Sequence, residues 1–193
     1  MSSYFVFIVF DDPHVVGVLD FLVEALNGRR WQQPPHLTIQ GPLSERPTAT
    51  AIDHIEKTLG GSQLLIANPG IFDTRSGAAV YLRVENENLR RVWNKPDYPI
   101  EKYGFNPHIT LYDGPDVEMA QRAHHFLRSG KHRVELLCDQ YSVVPYVSKQ
   151  IELFPRDDVV GDEKAIQRMI ASGKVGSAFR ASFMAEISRQ QEY

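Results

Sequence analysis

The sequence predicts an α+β fold built from two related halves, and three observations carry that prediction. A five-residue strand pattern occurs twice, as Pro35-His36-Leu37-Thr38-Ile39 and Pro107-His108-Ile109-Thr110-Leu111, 72 positions apart. Strand and helix signals alternate on both sides of each copy, so helix–strand units feed mixed or antiparallel sheets around a central cleft. No low-complexity linker separates the halves, and residues 1–154 form one bilobal domain. The composition is that of an ordinary globular protein, with 42% apolar and 23% charged residues, enough to bury a core.

Tyr4–Phe10 is rich in aromatic and β-branched residues and predicts a buried first strand. No basic residues precede it, it is too short to span a membrane, and Asp11-Asp12-Pro13 closes it, so a strand accounts for it better than a signal peptide. Asp12-Pro13 is an N-cap followed by proline. Val15, Val18, Leu19, Leu22, Val23 and Leu26 then mark one helical face, ending at Asn27-Gly28. Strand His36–Gln40 follows, then a helix over Thr48–Leu59. Strands at Gln63–Ala67 and Ala78–Val84 come next, separated by a loop over Asn68–Gly77. In the second half, Leu89, Val92 and Trp93 suggest a short helix. Strand His108–Tyr112, a helix over Val117–Arg128, and strands at Arg133–Cys138, Tyr141–Tyr146 and Gln150–Phe154 complete the scheme. Residues 155–193 form a C-terminal helical extension, with Ile166, Met169 and Ile170 and then Phe179, Phe183, Met184 and Ile187 at helical spacing. A hairpin packed on the domain is the simplest expectation, with a dimer contact or a flap over the cleft as alternatives.

The repeated strand carries the chemistry. Successive side chains of a strand point to opposite faces, so each His and Thr share one face while the apolar residues between them share the other. With seven histidines in 193 residues, an apolar-flanked His-x-Thr is expected by chance about 0.05 times and a pair about 0.001 times. Two such strands facing each other give two imidazoles and two hydroxyls on one cleft. Histidine exchanges protons near neutral pH, and threonine hydroxyls donate to anionic oxygens. That set suits acid–base chemistry on a phosphate ester.

The paired strands in a small duplicated α+β chain resemble the two-histidine phosphoesterase superfamily, which includes the RNA 2′,3′-cyclic phosphodiesterases also called 2′-5′ RNA ligases. The resemblance covers roughly residues 3–154 and is specific at the two motifs. It implies His36 and His108 as catalytic histidines, Thr38 and Thr110 as phosphate-binding hydroxyls, and no cofactor or metal. By analogy His36 is the acid and His108 the base, roles that exchange in the ligation direction. Relatives often carry a phenylalanine in a loop before a strand, packed on the substrate base; Ile71-Phe72-Asp73 is loosely similar. Many RNA-acting members have an arginine shortly after the second motif, where this chain has Tyr112-Asp113. The implied activity is a metal-independent cyclic phosphodiesterase acting on RNA ends or nucleotides. A cyclic nucleotide or an ADP-ribose cyclic phosphate is the alternative substrate, and a non-catalytic nucleotide- or RNA-binding module is the alternative of another class.

Simple alternation puts Gln40 and Tyr112 on the cleft face as well, where Tyr112 either stacks on a base or packs at the strand end. Arg75 and Lys102 are read as solvated surface charges. His124 and His125 stand about 100° apart on a helix and cannot chelate jointly. With His132 nearby, they lack the carboxylate or cysteine pattern of a metal site. His14 and His54 are helix surface residues. A net charge of −3 argues against gripping long nucleic acid and leaves a nucleotide or short RNA end as the partner. Cys138 is the only cysteine, so no internal disulfide forms and a reducing cytoplasm is the expected compartment. No segment calls for a membrane.

Overall fold

Twelve elements follow one another along the chain: β1 Ser3–Phe10, α1 Pro13–Asn27, β2 His36–Leu43, α2 Ala49–Leu59, β3 Leu64–Thr74, β4 Gly77–Glu85, α3 Leu89–Val92, β5 His108–Gly114, α4 Val117–Arg128, β6 Leu136–Cys138, β7 Tyr141–Ser148 and α5 Ser177–Ile187. The computed structural model describes residues 3–29, 31, 33–93, 104–129, 132–148 and 177–189. The expected strand Gln150–Phe154, the helix suggested by Ile166, Met169 and Ile170, and Lys102 lie outside the described residues.

Local sequence accounts for the helix ends. The Asp12 carboxylate accepts from the His14 amide at 2.8 Å and the Val15 amide at 3.2 Å, satisfying two of the free donors at the start of α1. Gly28, at φ 67°, ends that helix in the left-handed conformation. Asp116 caps α4 in the same way, accepting from the Met119 amide at 2.8 Å.

The strands make one seven-stranded sheet in the order β6-β3-β4-β5-β2-β1-β7, and every described pairing is antiparallel. The expectation of two lobes with their own, mixed or antiparallel sheets is corrected on this point. The halves interleave: β3 and β4 of the first half lie between β6 and β5 of the second, and β7 of the second half pairs with β1 of the first. The interleaving fuses the halves, and β2 and β5 meet at the centre through one backbone pair, Leu37 with Ile109.

All five described helices contribute buried side chains to one core against a single face of this sheet, α3 through Leu89 and Val92. Six apolar residues of α1, with Ile55 and Leu59 of α2 and Met119, Ala120, Ala123, Phe126 and Leu127 of α4, pack on Val6, Ile8, Leu37, Ile39, Val80, Leu82, Ile109 and Leu111. Burying each large aliphatic side chain contributes about 1.5–3 kcal/mol. The C-terminal helix α5 docks behind, with Phe183 fully buried and its ring 5.4 Å from Phe126 and 6.0 Å from Phe21. Arg122 donates to the Ile187 carbonyl at 3.3 Å. This part of the C-terminal region therefore packs among the helices, and not over the face that carries the histidines.

Candidate active site

The second face of the sheet carries His36, Thr38, His108 and Thr110, all partly exposed, while Leu37, Ile39, Ile109 and Leu111 are fully buried on the first. The antiparallel pairing of Leu37 with Ile109 fixes how the four meet. His36 lies across from Thr110, and Thr38 lies across from His108. The two imidazoles thus occupy one diagonal of a square and the two hydroxyls the other. Diagonal neighbours across a strand pair stand about 7–8 Å apart, which leaves space between the rings for one phosphate.

Both rings are held in the same way. The Nδ1 of His36 is 3.0 Å from the Pro34 carbonyl, and the Nδ1 of His108 is 2.7 Å from the Asn106 carbonyl. In each case the acceptor lies two residues upstream and a proline intervenes. Pro35 and Pro107 restrict the residue before them to extended backbone, which aims that carbonyl along the strand. A carbonyl only accepts, so Nδ1 carries the hydrogen in both rings and proton exchange falls to Nε2. The sequence repeat therefore encodes orientation and tautomer as well as position.

Aromatic rings wall each histidine. His36 stacks on Phe7 with centroids 3.9 Å apart, and Phe7 stacks in turn on Tyr146 at 4.9 Å. His108 lies 5.0 Å from Tyr81, and Tyr81 stacks on Phe72 at 4.2 Å. Each tyrosine hydroxyl accepts from an amide ahead of the motif: Gln33 donates to Tyr146, and Asn106 donates to Tyr81 at 3.0 Å. Gly70 lies across from Tyr81 on β3, and a Cβ there would overlap the tyrosine ring.

The remaining candidates fall differently from simple alternation. Gln40 and Tyr112 are not on the cleft face. In both motif strands a bulge skips one residue, Ile39 in β2 and Leu111 in β5, so Gln40 pairs with core-facing Val6 and Tyr112 with core-facing Val80. Gln40 donates to the Val92 carbonyl at the end of α3 at 3.2 Å. Tyr112 is only 6% exposed, and its hydroxyl accepts from the Asp116 amide at 2.9 Å, bracing the turn into α4. The carbonyl of the bulged Leu111 takes a hydrogen bond from Asn27 at 2.8 Å. The same shift puts Asp113 on the cleft side, paired with Ala79, where its carboxylate accepts from Thr74 at 3.0 Å and Ser76 at 2.6 Å.

Phe72 reaches the site, edge-on to His108 at 5.1 Å, but from a strand and not from a loop. Asn68 adopts φ 51° at a bulge, and β3 runs on through Pro69 and Gly70 to Thr74. At 7% exposure, Phe72 is a wall of the pocket more than an open platform.

Sequence reasoning passed over Arg83, Phe7, Tyr81, Tyr146 and Asn106. Arg83 pairs with His108 across β4 and β5 and is exposed on the cleft face. A lone charge inside an otherwise apolar strand was the signal that could have found it. The remaining histidines stand apart from the cleft. Burial, with the nearby Arg128 charge, pushes the His124 imidazole below its ordinary pKa. His132 stacks on Phe126 at 4.3 Å. Burial raises the Cys138 thiol, which disfavours the thiolate a nucleophile needs. Among the described residues no three His, Cys, Asp or Glu side chains group as metal ligands, and no helix is long and apolar enough to cross a membrane.

No family model matches the chain, and neither a curated protein nor a solved structure with significant similarity to it was found.

Proposed function

We propose that the chain is a cyclic phosphodiesterase of two-histidine phosphoesterase type, opening 2′,3′-cyclic phosphates of nucleotides or RNA ends by paired acid–base catalysis. The observation that carries this reading is the pair of diagonal imidazoles, each with Nδ1 tied to a carbonyl two residues upstream, with two threonine hydroxyls on the crossing diagonal. A module that only binds nucleotides needs no second proton-transfer group held in the matching tautomer.

In the reaction, one Nε2 takes a proton from water as the water oxygen bonds to phosphorus. The bond from phosphorus to one ribose oxygen breaks, and the other histidine, protonated, gives its Nε2 proton to that oxygen. By the resemblance, His108 is the base and His36 the acid. Proton transfer by each positioned side chain contributes about 10²–10⁴-fold. Thr38 and Thr110 donate to the non-bridging oxygens, whose charge grows in the transition state. Neither hydroxyl is engaged by another group among the described residues, so both are available for this role.

Asp113 favours a small cyclic nucleotide over an RNA chain. It sets a carboxylate on the cleft face where many RNA-acting relatives carry an arginine, and it would repel further phosphates. Turnover of 2′,3′-cyclic mononucleotides, ADP-ribose cyclic phosphate and short RNAs ending in a 2′,3′-cyclic phosphate tests the reading. Hydrolysis is expected, fastest for the mononucleotides. Binding of nucleotides without turnover of any of the three would replace it with the non-catalytic alternative.

A further inference from the structure

The two sides of the cleft share one layout but differ at the residue that lies across from each histidine. Val9 on β1 lies across from His36, and Arg83 on β4 lies across from His108. These positions are equivalent: Phe7 lies across from Thr38 as Tyr81 lies across from Thr110. One histidine thus has a methyl-bearing neighbour and the other a guanidinium.

Arg83 sits between buried Leu82 and Val84 yet is itself exposed. No carboxylate among the described residues pairs with it. The acid two residues along the same face, Glu85, accepts from Asn68 at 2.9 Å. A charge within a strand adds nothing to the core, and no ion pair among the described residues stabilises it here.

Its placement matches the needs of a bound phosphate. Neighbouring strands lie about 4.8 Å apart, so the Arg83 Cα is one spacing from that of His108 and about 7 Å from the line between β2 and β5. An arginine side chain spans that distance. Its planar fork donates two parallel hydrogen bonds to phosphate oxygens, which neither histidine can do while exchanging a proton.

We propose that Arg83 is a substrate-contacting residue that holds a non-bridging oxygen of the phosphate from the His108 side of the cleft. This rests on the phosphodiesterase reading for its kinetic consequences, but not for phosphate binding. Apart from the imidazolium itself, the cleft then receives a cationic side chain from one side only. Val9 leaves the His36 side apolar, and the phosphate is drawn towards His108.

The test compares Arg83→Val, Arg83→Lys and Arg75→Val, the last an exposed arginine at the β3–β4 turn. With 2′,3′-cyclic AMP, Arg83→Val should lose about 10²-fold in kcat/KM, mostly in kcat, as expected for a lost donor to developing charge. Added guanidinium chloride should restore part of that loss, more than equimolar sodium chloride does, which a merely structural role would not allow. Arg83→Lys should fall between, and Arg75→Val should match the wild type. Binding of 2′-AMP, titrated calorimetrically, should weaken about tenfold in Arg83→Val and not in Arg75→Val. Wild-type kcat/KM and 2′-AMP affinity in Arg83→Val would overturn the proposal while leaving the two-histidine reading intact. Equal losses in Arg75→Val would overturn it too, because a general field would then explain the effect. If the wild type turns over no cyclic phosphate, the phosphodiesterase reading fails alone, and the 2′-AMP titration still decides whether Arg83 holds phosphate.

Discussion

The His36 and His108 sides of the cleft share a scaffold and differ in how tightly it is fastened. Each has a motif strand that bulges just after its threonine, an imidazole tied through Nδ1 to a carbonyl, a stacked pair of aromatic rings, and an amide donating to a tyrosine hydroxyl. On the His108 side a single buried residue, Asn106, supplies both the carbonyl for the imidazole and the amide for Tyr81. On the His36 side the two duties are divided between exposed Pro34 and half-buried Gln33. The duplicated backbone thus makes the two Nε2 atoms equivalent in placement. The distinct acid and base duties proposed for them therefore rest on the flanking side chains, with Arg83 opposite Val9 the clearest difference.

The largest expected effect tests the equivalence itself. His36→Ala and His108→Ala should each lower kcat by about 10²–10⁴, with little loss of substrate binding, and the double variant should fall far short of the product because the pair acts as one unit. Steady-state kinetics on a 2′,3′-cyclic nucleotide measures this. Near-wild-type turnover in either single variant would remove that histidine from the mechanism.

Smaller losses are expected from Thr38→Ala and Thr110→Ala, because each removes one donor to phosphate and leaves proton transfer in place. The Thr→Ser variants should keep most activity. If Ser were as damaging as Ala at either position, packing of the methyl group would be what matters there.

The fastening difference predicts an asymmetry in stability. Asn106→Ala removes the donor to the buried Tyr81 hydroxyl and should cost about 1–3 kcal/mol. Gln33→Ala, at a half-buried site, should cost under about 0.5 kcal/mol. Urea denaturation of both variants checks this, and equal costs would mean that the two sides are fastened alike.

Much of this arrangement was legible in the sequence, because its causes are local. Alternation placed His36, Thr38, His108 and Thr110 on one face, and Asp12-Pro13 announced α1. Gln40 and Tyr112 were misplaced because bulges at Ile39 and Leu111 shift the alternation, and no residue type marks them: both bulged positions are ordinary aliphatics. Asn68-Pro69-Gly70 has the composition of a turn, yet here asparagine takes the positive φ of a bulge and glycine makes room for Tyr81. That is why Phe72 was expected in a loop. Arg83 lay on a correctly expected strand. Its partner was hidden because the register between β4 and β5 is set by long-range packing, which no short window of sequence contains. The fusion of both halves into one sheet, through the pairings of β3 with β6, β4 with β5 and β1 with β7, is long-range for the same reason.

The central claim is that two imidazoles share the proton transfers, one neutral to accept and the other charged to donate. Its most direct test is kcat/KM for 2′,3′-cyclic AMP measured against pH in the presence of EDTA. Only the singly protonated pair is productive, since acid charges both rings and removes the base, while alkali neutralises both and removes the acid. The account predicts a bell-shaped profile, undiminished by EDTA, that collapses in both single histidine variants. A profile that rises or falls monotonically, or activity abolished by EDTA and restored by a divalent ion, would contradict it.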